Sequence, residues 1–299
     1  MKKVFKRILI LFLIFSETKN LFAQGVDLLK LVEEDKPKKT YVDYAFKSPR
    51  VINSHSIEMV KPGVLDFRVL HRFGNINKGL YEFFGLDQAT IRLGLDYGIS
   101  RNLTLGVGRS SYKKEIDSYL KFRVIHQAKG PYSIPFSVLV VAGSTINMLR
   151  ANDPNRKNYY TSRLAYYYQL LIGSKITEGF SLQFSPTVVH RNLVPTANDP
   201  HDLYAAGVGA RIKLSKRTSF NVDYYYVVNQ NPTLNLQNPL SIGFDIETGG
   251  HVFQFHVTNA LGMNERAFLT ETANKWSKGD IQIGFNISRA FQIKKKRKS

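Results

Sequence analysis

The chain of 299 residues contains no cysteine, so no disulfide framework can hold its fold. Long apolar runs are nearly as scarce. The run Ile8 to Phe15 is far short of the ~20 apolar residues that a spanning helix needs. No segment after residue 23 is long enough either. Helical periodicity is also missing, apart from Leu80 to Leu86, which suits a short helix inside a loop. Acidic residues are in deficit, 23 against 42 basic ones, for a net charge of +19. Nucleic acid is a poor match for that excess. Basic residues cluster in 1–23 and 294–298, and the remainder is spread along the chain rather than gathered on one element.

What is present begins with an export signal. Lys2, Lys3, Lys6 and Arg7 form a basic start, the apolar run follows, and Ala23 offers a cut before Gln24. Residues 1–23 therefore read as a signal peptide cleaved near Ala23, and export separates the chain from nucleic acid.

From Gly63 onward apolar and polar residues alternate with the period of two of a β-strand. Ile91, Leu93, Leu95 and Tyr97 oppose Thr90, Arg92, Gly94 and Asp96. The set Leu240, Ile242, Phe244 and Ile246 opposes Ser241, Gly243 and Asp245 in the same way. Twelve segments follow this rule: 63–73, 88–98, 102–111, 115–126, 135–147, 160–173, 179–190, 203–214, 218–228, 239–247, 250–259 and 280–291. Most approach the roughly 9–11 residues that cross a bilayer at a tilt.

Their connections alternate between short turns, such as 215–217 and 248–249, and longer loops, such as 74–87 and 260–279. That asymmetry belongs to outer-membrane barrels, whose periplasmic turns are short. The expected fold is all-β, a closed antiparallel transmembrane β-barrel of about twelve strands over 63–293. An even strand number puts both ends in the periplasm. The polar face should look inward, because a barrel this wide with an apolar lining would enclose a dry void. Tyr97, Tyr159, Tyr160, Tyr204, Tyr226 and Trp276 are placed for aromatic girdles.

Residues 24–62 read as an N-terminal arm. Its first part is charged, whereas Arg50 to Val60 is strand-like and would make a thirteenth strand. It is expected in the lumen or at the periplasmic mouth. Residues 294–299 form a basic tail.

Arg50-Val51-Ile52-Asn53-Ser54-His55-Ser56-Ile57-Glu58, then Gly63 to Arg68 and His71-Arg72-Phe73-Gly74, carry a resemblance, as does Gly249 to Asn259. Together they resemble a Bacteroidota β-barrel-like family known as domain of unknown function five-seven-seven-seven. The likeness covers roughly 45–293 and implies the barrel without implying an activity.

The alternation turns Asp66, Arg68, Arg92, Asp96, Arg123, Arg163, Arg211, Asp223 and Asp245 toward the lumen, with Arg72 and Lys121 beside them. Confined charges must pair or stay wet. These residues therefore form either a structural network or a cationic path for small anionic solutes. Ser54-His55-Ser56 has no partner that the sequence can place, and no catalytic constellation, metal site or cofactor motif emerges. The reading is an outer-membrane barrel, either a channel for small anions or a closed structural or docking barrel, and not an enzyme. Its partners are outer-membrane lipid and the barrel-assembly machinery, with no nucleic acid. The alternative is a soluble periplasmic or surface-bound β-sheet binding protein.

Overall fold

The computed structural model describes residues 38–150, 159–230 and 234–294. The signal segment 1–23 with its cut near Ala23, the arm as far as residue 37 and tail residues 295–299 lie outside the described residues. The chain divides into two units, Met1–Lys39 and Thr40–Ser299, and the barrel belongs to the second.

The barrel strands are β1 (Val64–Asn75), β2 (Ala89–Gly98), β3 (Leu103–Ser110), β4 (Ile116–Ile125), β5 (Ser137–Ile146) and β6 (Leu164–Lys175). They continue as β7 (Phe180–Arg191), β8 (Asp202–Lys213), β9 (Thr218–Val227), β10 (Leu240–Thr248), β11 (His251–Thr258) and β12 (Gln282–Gln292). Each pairs antiparallel with the next, and β12 pairs with β1 to close the barrel. Closure leaves no strand edge unpaired.

The period-two pattern decides which face is which. In β2, Leu93 is 44% exposed while its neighbour Arg92 is 1% exposed. In β10, Phe244 and Ile246 point outward and Ser241 and Asp245 are buried. The outer face is apolar, whereas the inner face mixes polar residues with the apolar Leu139, Val141, Leu171, Val189 and Leu203, which a filled lumen buries without a void.

Short turns 99–102, 176–179, 214–217 and 249–250 gather at one end, and loops 76–88, 147–163, 192–201, 228–239 and 259–281 at the other. Two connections depart from the expected lengths. The connection 111–115 is short, and 126–136 is long because Ala128–Lys129 pairs with Thr40–Tyr41 of the incoming arm.

Helices differ from the sequence reading. Leu80 to Leu86 is no regular helix: the 3-10 turns of Ile76–Gly85 are interrupted where Phe83 and Phe84 adopt positive φ of 43° and 53°. A regular helix does occur in the loop 259–281, α1 (Glu265–Thr270). The Asn264 side chain caps it by accepting from the Ala267 amide at 2.8 Å, satisfying one of the helix's free N–H groups. Six residues are too few for a periodic signal, which is why the pattern missed it.

Candidate functional site: a filled lumen

The lumen is filled from both ends. At the short-turn end, the Val42 amide donates to the Gln127 carbonyl at 2.9 Å. The chain then runs into the barrel, turns back, and leaves where the Gly63 amide donates to the Gly98 carbonyl at 2.8 Å. The turn is a hairpin, with Arg50 bridged to His55 and the Val51 amide donating to the Ser54 carbonyl at 2.9 Å. Every residue from Arg50 to Ser56 is buried. What the sequence suggested as a spare strand is a plug.

The wall grips the plug largely by its main chain. Arg211 donates to the carbonyls of Tyr44 and Ala45 at 3.1 and 3.0 Å. Lys121 reaches the Glu58 carbonyl at 2.6 Å, and Arg123 reaches that of Ile57 at 3.2 Å. Uncharged amides do the same work, Gln254 on the Val51 carbonyl at 2.9 Å, Asn286 on Ile52 at 3.0 Å and Gln183 on His55 at 2.7 Å. At the tip the polarity reverses. Asp223 accepts from the amides of Asn53 and Ser54 at 2.8 and 2.9 Å and from the Ser54 hydroxyl at 2.8 Å. These bonds supply partners for main-chain groups that a non-sheet segment would otherwise bury unsatisfied, at about 1–3 kcal/mol each.

From the long-loop end, α1 descends onto the plug. Ala267, Phe268 and Leu269 are buried, and the Phe268 ring meets Tyr225 edge-on at 5.4 Å. Glu265 is buried and accepts from Arg50 at 3.0 Å, with the His55 ring 3.4 Å away. One ion pair thus joins the plug from one end to the helix from the other. Around it stand Tyr119, edge-on to His55 at 4.4 Å, and Tyr167, whose hydroxyl lies 3.3 Å from the imidazole. α1 is tied outside this pair as well. Arg266 bonds Glu115 and Glu271, and Lys113 bonds Glu271 at 2.7 Å. Burial would raise the Glu271 carboxyl, yet Arg266 and Lys113 hold it down at about 2. A group depressed in this way contributes its full stability above its ordinary pKa and gives it up progressively as pH falls from there through about 2, so this tie persists in mild acid.

Glycines opposite the tyrosines make the room. Tyr119, Tyr167 and Tyr225 face Gly106, Gly143 and Gly207 across their strand pairs. A Cβ on Gly143 would lie 2.3 Å from the Tyr167 ring. Gly143→Val is therefore expected to destabilise the barrel by about 1–3 kcal/mol through overpacking. The check is a lower midpoint in heat-dependent gel mobility of the folded barrel.

The residues expected in the lumen sort as follows. Arg68 donates to Asp66 at 2.5 Å and to the plug's Ser48 hydroxyl at 3.0 Å, with Asp96 3.6 Å away. Arg92 pairs with Asp117, and Arg72 bonds Asn53 and Asn286. Arg123, Arg211 and Asp223 hold the plug, and Asp245 accepts from Gln254 at 2.9 Å. Arg163 is the correction. It lies on the 3-10 turn Tyr160–Arg163, ahead of β6 rather than on it, and donates to the Leu149 carbonyl at 2.9 Å in the loop. The strand begins at Leu164, so alternation counted from residue 160 gave Arg163 a place on an inner face it does not have.

The residues absent from that expectation are Arg50, Asn53, His55, Gln183, Gln254, Glu265 and Asn286. Two signals pointed to some of them: a strand-like stretch with no partner strand for Arg50, Asn53 and His55, and long amides on inner faces for Gln183, Gln254 and Asn286; nothing marked Glu265. Neither Ser54 nor Ser56 donates to His55; their hydroxyls go to Asp223 and to the Ser48 carbonyl. Among the described residues no group of His, Asp or Glu converges as a metal site.

Residues 46–291 match the membrane bound beta barrel domain family, DUF5777. The chain belongs to this family. No curated protein matches it. Among solved structures it is similar to the NanC porin, with 8% identity over 76% of this chain and 98% of that one, at a TM-score of 0.46. It is also similar to the CymD monoaromatic hydrocarbon channel, with 11% identity over 77% of this chain and 88% of that one, at a TM-score of 0.36. A third is LpxR from Salmonella typhimurium, with 11% identity over 76% of this chain and 99% of that one, at a TM-score of 0.34.

The DUF5777 chain is thus a membrane-bound β-barrel, and its exposed apolar band is its contact with lipid.

Proposed function

We propose that this DUF5777 barrel is a gated conduit for small anionic solutes, shut at rest by its own N-terminal segment. The observation that carries the reading is the grip of Lys121, Arg123 and Arg211 on the plug's main-chain carbonyls. Those cations hold the plug through bonds that water can replace. When the segment leaves, they face a narrow lumen where unscreened guanidinium and ammonium groups attract anions. The lid leaves with it. Glu265 has Arg50 as its ion-pair partner and the His55 ring beside it, both on the plug, and a buried carboxylate left without its partner draws in water.

The rest of the reading follows from export. The chain is made with a signal peptide cut near Ala23, is inserted by the barrel-assembly machinery of a Bacteroidota outer membrane, does not bind nucleic acid and performs no covalent chemistry. The test is a planar-bilayer recording of the full chain and of a chain whose residues 43–60 are replaced by a short glycine linker. The full chain should be silent. The shortened chain should conduct, with anions favoured and the preference stronger at low salt. Silence from the shortened chain, with insertion confirmed, would remove the conduit and leave a closed structural or docking barrel.

A further inference from the structure

The plug shows what kind of ligand this lumen is built to hold. We infer that the lumen is a polypeptide-binding socket, able to take a hairpin-shaped peptide from the periplasmic side in place of the resident segment. The inference rests on the resident segment being able to leave.

Recognition of a main chain differs from recognition of a side-chain pattern. Here the wall directs donors at the carbonyls of Ala45, Val51, Ile52, His55, Ile57 and Glu58. A single acceptor, Asp223, collects the amides of Asn53 and Ser54 at the turn. These contacts track a chain in, round a tight turn and out again. Main-chain bonds of this kind give affinity to peptide-binding sites, and pockets for a few side chains add specificity. The side-chain pockets are correspondingly few. Asn53 meets Ser241 at 2.9 Å and Arg72 at 2.6 Å, His55 sits between Tyr119 and Tyr167, and Val51 packs at Gly209.

A small anion would use none of the acceptor side of this site. Asp223 repels it, whereas a peptide uses the wall's donors and this acceptor alike. Approach from the periplasm is set by the resident chain, which enters and leaves beside Gln127 and Gly98. In the resting protein the tethered plug outcompetes any free peptide, because its effective concentration is high. The socket is therefore open to a second chain only when the plug is displaced.

The test uses the full chain carrying Arg50→Glu, which sets two carboxylates against each other at Glu265, and separately Ser54→Glu, which does so at Asp223. A fluorescent peptide of residues 42–62 in native sequence is added to each in detergent, and binding is read by polarisation. Both variants should bind it and the wild type should not. The same peptide N-methylated at Asn53 and Ser54 should lose binding, since Asp223 then has no amides to accept from. Replacing Ile52 and Ile57 by valine should leave binding largely intact. In bilayers the native peptide, added on the periplasmic side, should abolish the current of a conducting variant.

No binding of the native peptide to either variant overturns the socket, whether or not the variants conduct. Equal binding of the N-methylated peptide also overturns it, because recognition then does not run through the main chain. Binding to silent variants keeps the socket and sinks the anion conduit, so the two readings fail separately.

Discussion

Arg50→Glu is expected to turn a silent barrel into a conducting one. Arg50 and Glu265 are both about as buried as side chains become, and they are the charges that join plug to lid. Breaking a buried pair by changing one partner costs about 3–5 kcal/mol, because the charge left behind has lost its compensation. Here the new carboxylate also repels Glu265, and the remaining wall contacts must hold the plug against that repulsion. Water can replace those contacts, so the plug should leave and the lid should loosen with it.

Two readouts make the claim specific. Bilayer current should appear, and residues 42–62 should become open to protease. The reciprocal change Glu265→Arg, combined with Arg50→Glu, should restore both silence and protection, since it rebuilds the pair with its ends exchanged. If the double variant conducts as freely as Arg50→Glu alone, the ion pair is not the latch. If Arg50→Glu stays silent while its plug is digested, the lid alone closes the barrel.

The strands were legible because their rule is local. A residue's face follows from its parity, so Asp66, Arg92, Asp223 and Asp245 could be turned inward with no knowledge of their neighbours. Arg163 shows the limit of that rule: parity is correct only if counting starts on the strand, and Tyr160–Arg163 is a turn. The tyrosines near the long-loop ends of their strands, Tyr204 and Tyr226, are outward and exposed by the same parity.

That Arg50 to Val60 enters the lumen was within reach of the sequence, but the contacts that hold it there were not, for a different reason. Asn53 and Asp223 are 170 residues apart in sequence, and Arg50 and Glu265 are 215 apart. No period connects such pairs. Arg50 to Val60 resembles a strand in composition, but a wall that donates to its carbonyls satisfies its main chain as well as a neighbouring strand does. The arginines illustrate the same gap. Their inward direction could be read, but whether they face water, an acid or a carbonyl depends on what occupies the barrel. Arg92 took Asp117, whereas Arg211 took main-chain oxygen.

The outward face supports a prediction that depends on depth alone. Leu93 lies in the middle of β2 and Phe244 in the middle of β10, both exposed on the lipid side. Leu93→Arg and Phe244→Arg should each cost about 2–4 kcal/mol, because a guanidinium near the bilayer midplane keeps little of its hydration. Ile212 is just as exposed but sits one residue from the short-turn end of β8, where Ile212→Arg can reach headgroups and should cost only about 0–1 kcal/mol. Thr104→Arg would not serve as an inner-face control. Thr104 is buried and paired across the ladder with Lys121, in a lumen that is filled rather than watery. The measurement is urea-dependent folding into vesicles, with midpoints compared at unchanged slope. None of the three positions touches the plug, so all three variants should remain silent in bilayers. Equal losses at Leu93, Phe244 and Ile212 would mean that the apolar face does not follow membrane depth. The outward assignment of the alternating residues would then fail, and with it the placement of the charged face around the plug.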